Sequence, residues 1–238
     1  MPTLLEAVAN FSEGLDAPLL ARLRGTDALD QHADRAHNRC VVTLAEADPA
    51  RLVSGLLDRV AAAVQGIDLR RHQGLHPRLG AADVLPVVPL SGTTLFEAED
   101  VARELAEALW SRYRVPVWFY GSLAGGRRLA DLRRARIPPP FDVGDRAHPT
   151  AGACCVAARP PLVAYNLVLA RPRREVSAIL PQLRSLPGVL ALTFPLPAGT
   201  IQLSMNLTDL RSVTVAGVFG EVARLLGEAG LPELVGLC

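Results

Sequence analysis

Lysine is absent from this chain: all 25 basic residues are arginine. Without a lysine amine no Schiff-base mechanism is open to the protein, which excludes that branch of covalent catalysis. Codon bias is the plain explanation, yet it leaves a specific chemistry, because a planar guanidinium grips carboxylates with two parallel donors. Net charge is nearly absent too, at +1 over 238 residues. No dense basic stripe stands out, so no nucleic-acid partner is expected. Long hydrophobic runs are missing: nothing approaches the roughly 20 apolar residues that span a bilayer, and no membrane partner is expected. Met1 to Ala9 carries an acidic Glu6 and does not resemble a signal peptide. The four cysteines, Cys40, Cys154, Cys155 and Cys238, have a spacing that fits neither a zinc knuckle nor a disulfide framework. A cytoplasmic protein with small, reduced, buried thiols is the expectation. There is no HExxH spacing and no convincing repeat.

What is present is a globular composition, half apolar and about a fifth charged, with strand and helix patterns in alternation. Strands are predicted over Leu4 to Ala9, Cys40 to Leu44, Val84 to Val88 and Val115 to Tyr120, and helices over Ala17 to Arg24, Pro49 to Gln65 and Ala98 to Tyr113. Asp48 is a good N-cap for the second helix, whose apolar positions recur at helical spacing. Pro86 interrupts its run and predicts an edge strand or a strand end. The arginine-rich stretch Gly125 to Arg136 is predicted helical. Ile137-Pro138-Pro139-Pro140 then breaks the chain, giving expected domains 1–140 and 141–238. Beyond the break, strands at Leu162 to Leu169, Val189 to Phe194 and Thr200 to Leu207 alternate with helices at Glu175 to Leu186 and Val213 to Ala229. That order is close to a split β-α-β unit. The fold class is therefore α+β: two α/β sandwiches with helices stacked on mostly antiparallel sheets.

All five histidines, His32, His37, His72, His76 and His148, fall in loop-like or strand-edge segments. The most informative stretch runs Arg70-Arg71-His72-Gln73-Gly74-Leu75-His76-Pro77-Arg78-Leu79-Gly80, followed by Asp83. Pro77 forces His76 toward extended geometry, and the glycines permit backbone conformations other residues resist. A shaped loop of this kind carries functional side chains, and imidazole is the default proton acceptor near neutral pH. The alternative is a histidine that merely hydrogen-bonds nearby backbone. A second polar cluster, Asp30 to Arg39, shows no hydrophobic periodicity and reads either as functional or as a solvated loop. A third, Asp142 to Gly152, is a Pro/Gly-rich hinge between the two halves, and clefts between domains are common ligand sites.

These residues resemble a known family, the formiminotransferases of histidine and purine breakdown. Val8-Ala9-Asn10-Phe11-Ser12-Glu13-Gly14 is similar to the family's opening VPNFSEG, and His72 to Asp83 to its HKGEHPRMGALD. The run Asp34 to Thr43, centred on His37-Asn38-Arg39, resembles its NR-containing strand entry. Val115 to Gly121 and Asn206-Leu207-Thr208-Asp209 add two further ordered matches. The resemblance implies two ferredoxin-like subdomains with folate in a groove between them. It implies transfer of a formimino group from N-formimino-L-glutamate to N5 of tetrahydrofolate as co-substrate, with His76 as general base and no metal. Arg39, Arg71 or Arg78 would bind the carboxylates of either substrate. The implied substrate and folate residues are Asn10, His37, Asn38, Arg39, His72, Arg78, Asp83, Asp142, Gly144, His148, Thr150 and Gly152.

Leu75 departs from the pattern, replacing the glutamate before the family's HPR and removing a charge beside the proposed base. Thr150-Ala151-Gly152 stands where the family has SWG, and the C-terminal half lacks a charged insertion. No cyclodeaminase domain follows, so a separate protein is expected to process any formimino-folate product. Two other readings stay open: a folate or small-acid binding protein that has lost catalysis, and a metal-dependent hydrolase using His72, His76, Asp83 and either His32 or His37. Two-subdomain enzymes of this size often dimerise, which makes a homodimer the corresponding expectation.

Overall fold

The computed structural model describes residues 3–135 and 138–235, so Arg136 and Ile137 of the expected helix and break, and Cys238, lie outside the described residues. Two units divide the chain, Met1–Pro160 and Pro161–Cys238.

The first unit opens with β1 (Leu4–Phe11), α1 (Ala17–Arg24), β2 (Asp30–Asp34), β3 (Arg39–Glu46), α2 (Pro49–Gly66) and β4 (Ala82–Ser91). Within its sheet these strands lie in the order β2-β3-β1-β4, every pair antiparallel, which is the ferredoxin-like split β-α-β arrangement. α3 (Leu95–Tyr113), β5 (Val117–Phe119), α4 (Leu129–Arg134) and β6 (Cys154–Ala158) follow, and β6 inserts in parallel between β4 and β5. Alternation of side chains along each strand gives the sheet two different faces. Ala7, Phe11, Val42, Leu85 and Cys154 join the main core under α1, α2 and α3. Their neighbours Val84, Trp118 and Cys155 face the other way and pack with Leu132 of α4.

The first three helices begin where side-chain chemistry dictates. Asp16 caps α1, Asp48 caps α2 ahead of Pro49, and Thr94 with Glu97 forms a capping box on α3. In the second unit, β7 (Val163–Leu169), α5 (Arg173–Ala178), α6 (Leu180–Ser185), β8 (Val189–Pro195), β9 (Ile201–Leu207), α7 (Val215–Leu226) and β10 (Leu231–Leu234) form a sheet ordered β10-β7-β9-β8. Its pairs are all antiparallel, so it repeats the ferredoxin-like topology around a core of its own.

Several expectations need correction. β4 is an interior strand rather than an edge: Pro86 pairs across to Ala157 of β6, and the ladder to β1 lapses between Ala7↔Val87 and Asn10↔Val84, where its missing N–H falls. The division of the chain falls after Pro160 rather than at residues 137–140, because β6 belongs to the first sheet. The helix expected over Glu175 to Leu186 is two helices meeting at Ile179, just before Pro181. β2 forms over Asp30–Asp34, in the polar cluster whose composition carries no strand period.

Candidate functional site

Geometry around His76 begins with the turn between β2 and β3. Asn38 adopts a left-handed conformation, φ 48°, which asparagine tolerates better than most residues. Its side-chain oxygen accepts from Gly14 N at 2.8 Å and its amide donates to the Gln73 carbonyl at 2.8 Å. One buried asparagine thus ties the β1–α1 turn to the loop that carries His76. That loop sits close on the hairpin: a Cβ at Gly74 would collide with the His37 carbonyl, and Leu75 N donates to Ala36 O at 3.3 Å. On the other side, Ser12 Oγ donates to Gly80 O at 2.8 Å. Glu13 accepts from Leu15 N at 2.6 Å and Asp16 N at 2.8 Å. The Asn10–Gly14 motif is in large part the local architecture of this junction.

Three of the expected residues, Arg39, His37 and Arg78, act on the imidazole of His76. Arg39 Nη1 lies 3.1 Å from His76 Nε2. A guanidinium only donates, so Nε2 is the acceptor and the ring proton sits on Nδ1. His37 packs edge-on at 6.1 Å between ring centroids, and its Nδ1 meets Asp34 Oδ2 at 2.7 Å. That pairing and the backbone N–H of His37 hold the Asp34 carboxyl down at about 2 against the opposing effect of burial. Arg78 bonds His72 Nδ1 with one nitrogen and uses another on the carbonyls of Gly74 and His76, at 2.9 and 2.7 Å. Its fork therefore braces the loop instead of presenting two donors to a ligand.

A β-bulge places Asp83. Phe11 pairs with Ala82 and Asn10 with Val84, so Asp83 is the extra residue. Buried at 1% exposure, it accepts from Leu79 N at 2.6 Å and Gly80 N at 3.3 Å. Its second oxygen accepts from Arg133 Nη2 at 2.5 Å. Arg133, on α4, was not among the expected site residues. Nothing local marks it out from Arg127, Arg128 and Arg134, and its partner is far away in sequence.

Burial, then the charges of Arg39, Arg133, His37 and Arg78, lower the His76 imidazole to about 2. His72 is lowered by burial and Arg78, and His148 by burial. In the Arg39 guanidinium, burial and the neighbouring Arg133 weaken proton binding.

The remaining expected residues lie apart from this cluster or support it from behind. Asn10 bonds its own strand, at Val8 O. His148 Nδ1 accepts from Ala151 N at 3.0 Å, and its backbone exchanges two bonds with Gly152. This turn, with Thr150, is stitched to the far side of the loop by Leu69 N to Thr150 O, Ala81 N to Ala151 O and Ala153 N to Leu79 O, each 2.9 to 3.0 Å. Gly80 and Gly152 face each other there, and a Cβ on either would meet backbone oxygen. Asp142 latches the end of β5, accepting from Phe119 N at 2.8 Å and Arg127 Nη1 at 2.6 Å. Gly144, φ 92°, leaves room for Trp110. These two shape the scaffold away from His76. Among the described residues, no three His, Cys, Asp or Glu side chains converge in a way that could hold a metal ion.

Residues 4–159 match the family described as the formiminotransferase domain, N-terminal subdomain. Over 253 aligned residues the chain is 32% identical to glutamate formimidoyltransferase of Thermoplasma acidophilum, covering 94% of this chain and 82% of that protein. It is 34% identical to glutamate formimidoyltransferase of Streptococcus pyogenes serotype M1, over 71% of this chain and 63% of the relative. A third relative, formimidoyltransferase-cyclodeaminase of Sus scrofa, is 33% identical over the whole of this chain, which spans half of that longer protein. The chain belongs to the formiminotransferase family. Among the described residues no helix is long and apolar enough to cross a membrane.

Proposed function

We propose that the protein transfers a formimino group from N-formimino-L-glutamate, or a related amino-acid donor, to N5 of tetrahydrofolate. His76 is the general base. The observation that carries this reading is a neutral imidazole whose Nε2 lone pair is held by Arg39, among cations suited to carboxylate ligands. N5 attacks the formimino carbon, forming the new C–N bond, and its proton passes to His76. The tetrahedral intermediate collapses by breaking the bond to the donor nitrogen, and the imidazolium returns the proton to that leaving amine.

In the free protein the imidazole is a weak base, because burial and the surrounding guanidinium groups oppose its protonation. A substrate carboxylate among those groups supplies the missing negative charge and raises its basicity. His37, Asn38, Asp83 and the turn around His148, Thr150 and Gly152 hold the loop in place. Asn10, His72, Asp142 and Gly144 act through the scaffold. The buried, unpaired thiols Cys40, Cys154 and Cys155 suit a reducing cytoplasmic location.

Leu75, exposed at 45%, supports a second reading: a folate or small-acid binding protein with altered catalysis, because it removes the acid beside the base. Calorimetric titration with folinic acid, a stable reduced folate, tests the folate assignment beside a His76→Ala control. Micromolar binding to both proteins is expected. No binding at millimolar folinic acid overturns the assignment, and turnover separates transferase from binder.

A further inference from the structure

Two guanidinium groups near His76 are only partly used. Arg39 bonds His76 through Nη1, while its Nε is buried with no hydrogen-bond partner among the described residues. Arg133 is held by Asp83 through Nη2, its side chain 17% exposed, and its Nε is likewise buried without a partner. A buried orphan donor is costly, and more so on a charged group. One orphan nitrogen is not a site by itself. Arg59 Nε is also orphaned, yet Arg59 makes bonds to Asp27, Arg24 O and Gly55 O and serves the fold alone.

What sets Arg39 and Arg133 apart is convergence. Each acts on His76, and Arg133 is the foremost charge acting on Arg39. Like charges are thereby brought together in a buried place where, among the described residues, Asp83 is the only carboxylate bonded to either of them, while Asp34 acts on Arg39 but is paired with His37. The Asp83 carboxylate is already committed to Leu79 N and Gly80 N. The Asp83 bulge fixes Arg133 against the same loop that carries His76, so the cation cannot swing away without loosening the loop. Such an arrangement has a deficit of negative charge that a ligand carboxylate fills with two-pronged, charge-assisted hydrogen bonds.

We infer that Arg133, positioned by Asp83, forms with Arg39 the seat for a carboxylate of the amino-acid donor, and that seating it draws Arg39 off the Nε2 of His76. The choice of a dicarboxylate ligand rests on the formimino-transfer reading. The seat itself rests on the two guanidinium groups. It makes the proton acceptor available only when the donor is bound, since Nε2 is blocked by Arg39 in the free protein.

Glutarate is the probe: it has the two carboxylates of the donor and no group to transfer. Calorimetry is run with wild type, Arg133→Gln and Arg133→Lys. The His76 ring nitrogens are followed by NMR, a readout that a purely structural role for Arg133 does not move. The expected result is at least about tenfold weaker glutarate binding by Arg133→Gln, with partial recovery in Arg133→Lys, which keeps the charge and loses the fork. Glutarate should shift the wild-type His76 Nε2 resonance. Equal binding by wild type and Arg133→Gln, no binding by wild type, or binding that leaves His76 Nε2 unmoved overturns the proposal. If Arg133→Gln does not fold, Arg133→Lys and the wild-type NMR shift decide.

Turnover of wild type with N-formimino-L-glutamate is measured separately. Arg133-dependent glutarate binding without transfer defeats the functional reading and leaves the seat standing. Transfer with an unchanged donor KM in Arg133→Lys defeats the seat and leaves the function standing.

Discussion

Arg39 Nη1 donates to His76 Nε2 across 3.1 Å, so in the free protein the proposed base holds its one available lone pair against a cation. A side chain in that state is neutral and poorly basic, and it is relieved only if Arg39 finds another acceptor. Arg39→Gln should therefore raise the His76 pKa in the free protein. NMR titration of the histidine ring nitrogens checks the direction, and an unchanged or lower value contradicts it.

Acid sensitivity follows from the same burial. His76 is lowered from 6.5 to about 2 in the folded chain, so between those values the unfolded chain binds a proton that the folded chain refuses. Stability present above 6.5 is lost as the pH falls toward the folded value. His72 and His148 are lowered too and act in the same direction. Melting temperature should be level above about pH 7 and decline below about pH 6.5. His76→Asn should flatten that decline, and a decline as steep as in wild type counts against the assignment.

Asn38 is the joint of the site. Asn38→Ala removes two hydrogen bonds and puts an ill-suited residue at a positive φ. The expected cost is about 1–3 kcal/mol in denaturant unfolding, with a loss of transfer activity. Asn38→Gly should restore the backbone geometry without the bonds and fall between the two.

Leu75 gives a gain-of-charge test. Because the residue is 45% exposed, Leu75→Glu should change stability by no more than about 0.5 kcal/mol. The new carboxylate should raise the basicity of His76 and speed formimino transfer. A slower variant of equal stability would favour the reading in which catalysis has been altered in this protein.

Much of the fold was legible from pattern alone. Asp16 with Pro18 and Asp48 with Pro49 mark the starts of α1 and α2, and α1 runs over the expected residues. β2 was not legible: Asp30–Asp34 has no apolar alternation because it is an edge strand formed by pairing with β3. β6 escaped notice for the opposite reason. Its five residues are all buried and carry no period, and they follow a Pro/Gly-rich turn that reads as a boundary. β10, four residues of mostly exposed chain, gives no signal either.

The candidate site divides in the same way. His76 and Arg39 stand out because they lie in polar segments that periodicity does not explain, and Asp83 because it closely follows the segment that carries His76. Arg133 could not, since its meaning depends on a carboxylate brought to it by a bulge in a distant strand. Arg78 has a use that its motif does not announce: its hydrogen bonds brace the loop.

Transfer of the formimino group from N-formimino-L-glutamate to tetrahydrofolate, followed in wild type and His76→Ala at saturating substrates, tests the central claim most directly. Turnover by wild type and a loss of about 10²–10⁴ in kcat for the variant, with folinic acid still bound, is the predicted result. Full turnover by His76→Ala, or none by a wild-type protein that binds folinic acid, would contradict it.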